Sequence, residues 1–192
     1  MSGVEELRGR AAGIVDRIAA AAARAGREAS TVRMMAVTKT FPRETVEEAL
    51  AAGIGLFGEN RVAEAAAKYA GLTGACELHL VGHLQRNKAA AAAGLFACVQ
   101  SIDKAETAAA LARHCAAIGR RVDVLVEYNA SGEASKSGVT DRDSLFACLD
   151  AVRRVEAAGG SEGEGTRRRA SDARVTRGAG PAAEHDARSV LL

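Results

Sequence analysis

Tryptophan is absent from this 192-residue chain, and aromatic residues make up only 3% of it. That scarcity argues against a platform of aromatic faces on which nucleic-acid bases could stack. Cysteine is sparse and scattered. Cys76, Cys98, Cys115 and Cys148 include no Cys-x-x-Cys pair, so neither zinc-ribbon spacing nor a disulfide framework is present. They read as reduced thiols packed as small apolar groups in a cytoplasmic protein. The longest apolar run, residues 89–99, contains Gly94 and is too short to cross a bilayer. The N-terminal segment carries Glu5 and Glu6 where a secretory signal would be basic. No charge sign dominates either. With 26 Lys and Arg against 24 Asp and Glu, the net charge of +2 supplies no field that by itself recruits nucleic acid or membrane.

What the chain has is alternation. Residues 3–25 place Val4, Leu7, Ala11, Ile14, Ile18 and Ala22 at helical spacing, with Gly26 following as a C-cap. The pattern then predicts strands at about 32–39, 54–58, 77–82, 97–102 and 121–128. Helices are predicted at about 43–52, 60–70, 86–94, 103–118 and 141–157. Five strand-then-helix repeats imply a parallel α/β fold. Leu78–Val81 and Val122–Val126 look like strands covered on both faces or most of both. Polar residues follow every strand: Thr38-Lys39-Thr40, Gly58-Glu59-Asn60-Arg61, Gly82-His83, Ser101-Ile102-Asp103 and Asn129-Ala130-Ser131-Gly132. Polar groups gathered at successive strand ends fit a barrel better than an open sheet with a single switch point. The expected architecture is thus an incomplete (β/α)8 TIM-barrel of about five βα units with a leading helix.

Lys39 is the leading candidate for chemistry. It closes the apolar stretch 32–38 and precedes Thr40-Phe41-Pro42, which lead into a helical pattern, as at the opening of a βα unit. An amine held there against apolar walls would shed its proton more readily and could condense with an aldehyde or ketone. Taken alone, the same lysine reads more readily as a side chain snorkelling from a strand end.

Four segments together carry a family resemblance: Ala36-Val37-Thr38-Lys39-Thr40, Phe57-Gly58-Glu59-Asn60-Arg61, His79-Leu80-Val81-Gly82-His83-Leu84-Gln85-Arg86-Asn87-Lys88 and Ser135-Lys136-Ser137-Gly138. Collinear from the leading helix to about residue 157, they resemble the pyridoxal-phosphate homeostasis proteins, relatives of the N-terminal barrel of alanine racemase (fold type III). The resemblance implies pyridoxal 5'-phosphate as cofactor, held as a Schiff base on Lys39, with Asn60 lining it. It implies a carrier that keeps a reactive aldehyde sequestered without robust catalysis and delivers it to pyridoxal-phosphate-dependent apoenzymes. His79 and His83 flank the third strand end, His79 reading equally as a core histidine. Lys88, Lys136 and Ser137 match motifs whose default role is loop structure and capping, with a secondary aldehyde-capturing role as the alternative for Lys136. Racemisation needs proton donors on both faces of a bound amino acid, and neither Tyr69 nor Tyr128 lies in a racemase-like context. A racemase- or lyase-like enzyme, a phosphosugar-binding protein or Schiff-base aldolase, and an inert truncated fragment are the alternatives.

The chain also departs from that family. A closed barrel of this kind takes ~250 residues. The later strands, with the glycine turn that would cup a phosphate, do not follow residue 157. From Gly159 the sequence becomes Arg-, Ala- and Gly-rich, including Arg167-Arg168-Arg169. Such a composition buries too little to offset ordering entropy. The expectation is therefore a partial cofactor-binding domain over 1–158 and a disordered or non-native tail over 159–192, as a shifted reading frame or a truncated gene product would give. The first and fifth strands are expected to lie at open edges.

Overall fold

The computed structural model describes residues 3–72, 74–133 and 135–158, with side chains through Arg153. The reading of 159–192 as a tail falls outside them. Five parallel strands, β1 (Ala36–Val37), β2 (Leu56–Glu59), β3 (Glu77–Leu80), β4 (Cys98–Ile102) and β5 (Asp123–Val126), form one sheet in chain order. Six helices alternate with them: α1 (Gly3–Arg24), α2 (Arg43–Ala51), α3 (Val62–Lys68), α4 (Ala89–Leu95), α5 (Ala105–Ala117) and α6 (Arg142–Ala158). The predicted α/β alternation is therefore present in full.

The described residues divide into two compact units, the first comprising 3–58 and 68–77, the second 59–67 and 78–158. In the first, β1 and β2 pair in parallel with Ala36 opposite Phe57 and Val37 opposite Gly58. β2 is buried throughout, the adjacent Leu56 and Phe57 followed by Gly58 and an enclosed Glu59. The Phe57 ring meets that of Tyr69 at 5.9 Å between centroids and a 60° tilt, an edge-to-face arrangement. β1 is much shorter than the predicted 32–39. Residues 32–35 leave the ladder, and Arg33 instead pairs with Glu77 through both guanidinium nitrogens.

In the second unit β3, β4 and β5 pair in parallel, with His79 opposite Cys98 and Val99 opposite Val124. Leu80, Phe96, Val99, Ile102 and Leu111 are enclosed there. Alanine abundance is used structurally: Ala89, Ala92 and Ala93 form the buried stripe of α4, and α4 and α6 both pack on α5. The predicted helix 86–94 opens with a tight 3-10 turn over Arg86–Lys88, because no side chain caps it and the Lys88 amide bonds the Gln85 carbonyl at 2.9 Å. β5 also differs from expectation. It is half-buried, not covered on both faces, because it is an outer strand. Cys98, Cys115 and Cys148 are buried, and burial raises the Cys115 and Cys148 thiols, as inert core thiols require. No described helix is long and apolar enough to cross a membrane.

Candidate functional site

Two sets of strand-end residues carry the polar chemistry, one in each unit. In the first, the Phe41 amide bonds the Thr38 carbonyl at 3.1 Å, closing a tight turn with Lys39 and Thr40 at its centre. Thr40 has φ +68°, the only non-glycine residue at positive φ among those described. A β-branched residue there is strained, whereas a turn with positive φ at its third position ordinarily recruits glycine. Lys39 is exposed. The expectation that apolar walls enclose its amine is therefore corrected: β1 lies at an edge of the described sheet, and the turn that follows it is open to solvent. The residue before it is held quite differently. Thr38 is buried, its hydroxyl 2.6 Å from the Tyr69 hydroxyl and its carbonyl accepting the Lys68 amine at 2.6 Å.

In the second unit, Asn60 follows the buried Glu59 and is itself half-buried. A Cβ added to Gly82 would fall 2.3 Å from the Asn60 carbonyl oxygen and 2.7 Å from its Cα. Glycine at the end of β3 thus permits a backbone-to-backbone approach that fixes where Asn60 stands. The Ser101 hydroxyl donates to the Gly82 carbonyl at 2.6 Å and ties β4 to the same point. His79 is a buried histidine bonded to the Gln100 side-chain amide at 2.8 Å, which fulfils its core reading. His83 is partly exposed, with Nδ1 3.3 Å from Asp103 Oδ2.

A cleft of about 310 Å³ opens beside His83, lined also by Glu127, Asn129, Ser131, Lys136 and Ser137. Burial, then the nearby Asp103 carboxylate, raise the Glu127 carboxyl above its ordinary value, and His83 opposes them. Asp103 Oδ1 is buried with no hydrogen-bond partner among the described residues. Lys136 reaches Glu133 at 3.0 Å, and the Asn129 amide bonds the carbonyls of Glu133 and Lys136. Those contacts give the Ser-Lys-Ser-Gly motif its loop-building role. Lys88 is exposed within the 3-10 turn. Sequence reasoning singled out Lys39 and Asn60 as candidates and passed over Lys68 and Glu127. Lys68 ends a helix and looks like any cation in a last turn; only its neighbour Tyr69 hints at a buried face.

The family model described as alanine racemase, N-terminal domain, matches residues 14–165. The chain belongs to that family. The pyridoxal phosphate homeostasis protein of Pseudomonas aeruginosa is 40% identical over 143 residues, covering 74% of this chain and 62% of that protein. The protein of the same name from Escherichia coli is 36% identical over 151 residues, covering 75% and 64%. This chain therefore spans a little under two thirds of the length of these curated relatives. Among solved structures, PipY of Synechococcus elongatus with pyridoxal phosphate (PLP) bound is 34% identical with a TM-score of 0.59, covering 74% of this chain and 65% of that one. A protein of unknown function from Bifidobacterium adolescentis aligns with a TM-score of 0.69 at 34% identity, covering 79% and 66%.

Proposed function

We propose that this chain binds pyridoxal 5'-phosphate through the amine of Lys39, with Asn60 lining the cofactor, and serves in its homeostasis without robust catalysis. The observation that carries this reading is the turn after β1. It sets an exposed, reachable primary amine at a strand's C-terminal end, anchored by a fully bonded residue just before it. The donor set suits the group: an amine for an aldehyde, and a half-buried side-chain amide for a polar ring substituent. When bound, such a cofactor supplies an electrophilic aldehyde and an electron sink. Relatives named for pyridoxal phosphate homeostasis, and a relative solved with that cofactor, support the assignment.

The tyrosines favour a carrier over a racemase. Tyr69 is 1% exposed with its hydroxyl committed to Thr38, and Tyr128 directs its hydroxyl to the Thr140 carbonyl. Neither is poised to pass a proton to a bound amino acid. With the carrier reading go PLP-dependent apoenzymes as recipients and a cytoplasmic location, which the scattered cysteine spacing favours. The test is incubation with pyridoxal phosphate, borohydride reduction and peptide mapping. Label concentrated on Lys39, with no amino-acid turnover, supports the carrier. Turnover that vanishes in Lys39→Ala would make it an enzyme, and label scattered over surface lysines would make it an inert fragment.

A further inference from the structure

We propose that Lys68 and Tyr69 are positioning residues that aim Lys39, an inference that rests on the reading of Lys39 as the cofactor-binding amine. Lys68 lies at the end of α3 and is 7% exposed, yet it is a lysine. A methionine or leucine would fill the same space without the cost of taking an amine out of water. The amine donates to the carbonyl of Thr38 at 2.6 Å. That carbonyl belongs to the peptide bond joining Thr38 to Lys39. It also accepts the Phe41 amide, so both its lone pairs are used. The Thr38 hydroxyl is bonded to Tyr69, and the Thr38 amide donates to the Gly58 carbonyl at 3.0 Å.

Every polar group of the residue preceding Lys39 is thus tied down, while the lysine itself is exposed. The arrangement is a rigid pivot with a free arm. Thr40, at φ +68°, shows that the turn persists against local strain, which requires surrounding contacts to over-determine it. Fixing the backbone on both sides of Lys39 restricts the directions its amine samples. That is how orientation, without any added contact to the ligand, speeds reaction at one lysine over others.

The experiment compares wild type with Lys68→Met, Lys68→Arg and Tyr69→Phe in the full chain. The readout is borohydride-trapped pyridoxal phosphate on Lys39 relative to the exposed Lys88 and Lys104 of the same molecules. Loss of aim lowers the Lys39 share by about tenfold in Lys68→Met, the scale of one strong hydrogen bond. Lys68→Arg, which keeps a donor, restores part of it, and Tyr69→Phe gives a smaller drop. General loosening would instead raise all lysines together. Folded Lys68→Met and Tyr69→Phe proteins with an unchanged Lys39 share would overturn the proposal. Should Lys68→Met fail to fold, Tyr69→Phe and Thr38→Val decide by the same ratio. Amide hydrogen exchange at residues 39–41 is read without cofactor. It should quicken about tenfold on loss of the Lys68 donor, and unchanged exchange also counts against the proposal. If wild type labels no lysine selectively, the carrier reading fails and the exchange data alone judge the pivot.

Discussion

The turn after β1 and the cleft beside β3 and β5 handle buried polarity in opposite ways. Beneath the turn, each polar group of Thr38 has a partner, and a buried amine is spent on a backbone carbonyl. Beside His83 of the cleft, Asp103 keeps a buried oxygen without a partner among the described residues, and Glu127 in the cleft lining holds its carboxyl partly out of water. Satisfied networks rigidify, because every rearrangement breaks a bond that water cannot replace. Under-satisfied carboxylates do the reverse: they leave charge whose cost depends on pH and on what donor arrives. The first region thus reads as a fixed mount, and the second as an adjustable one.

The sharpest way to break this contrast is at Lys39 itself. Lys39→Ala should abolish the selective reduced label while leaving the melting temperature within about 2 °C of wild type, since an exposed side chain contributes within about ±0.5 kcal/mol. A large loss of stability would mean that the amine is a structural group and not a free arm. Next in size is Gly82→Ala. The new methyl would overlap the Asn60 backbone at 2.3 Å, and backbone cannot swing aside as a side chain can. A cost of about 3 kcal/mol is expected, read as a lower urea midpoint at unchanged slope. A neutral result would show that the approach of β3 to Asn60 is slack.

Much of this was visible in the residues and some was not, for physical reasons. The period of α1 and α2 is a local property, and both helices end within one residue of where the apolar spacing places them. The place of Lys39 and Asn60 at strand ends was legible because polar residues closing apolar strands are conspicuous. Burial around Lys39 was not, since a hydrophobic stretch cannot tell whether its strand has neighbours on one side or two. The same ambiguity made β1 look longer and β5 look better covered than they are. The Lys68 bond to Thr38 spans 30 positions, so no short window of sequence contains it.

Strain in the mount supplies a smaller test. Thr40→Gly should stabilise the chain by up to about 1 kcal/mol, because the left-handed conformation costs a β-branched residue more than glycine's added unfolded-state freedom returns. The same variant should reduce the Lys39 share of label, since relief of strain also widens the turn's choices. Greater stability with unchanged selectivity would separate the turn's conformation from the aim of the amine.

The smallest effect belongs to the cleft and concerns pH. Glu127 has a folded-state value raised above the ordinary glutamate value of about 4.3, first by burial and then by Asp103, with His83 pulling the other way. Between the unfolded and raised values the folded chain binds more proton than the unfolded one, so stability falls as pH rises through that window. Below it the contribution is neutral; above it the penalty is complete. Glu127→Gln removes the ionisation while keeping the shape, so thermal melts of the variant should gain on wild type as pH climbs from 4 toward 7. The gain should be small, because the carboxyl is only partly buried and solvent screens it. Parallel pH profiles would mean that Glu127 already shares its proton equally in both states. The contrast would then rest on the unpartnered oxygen of Asp103 alone.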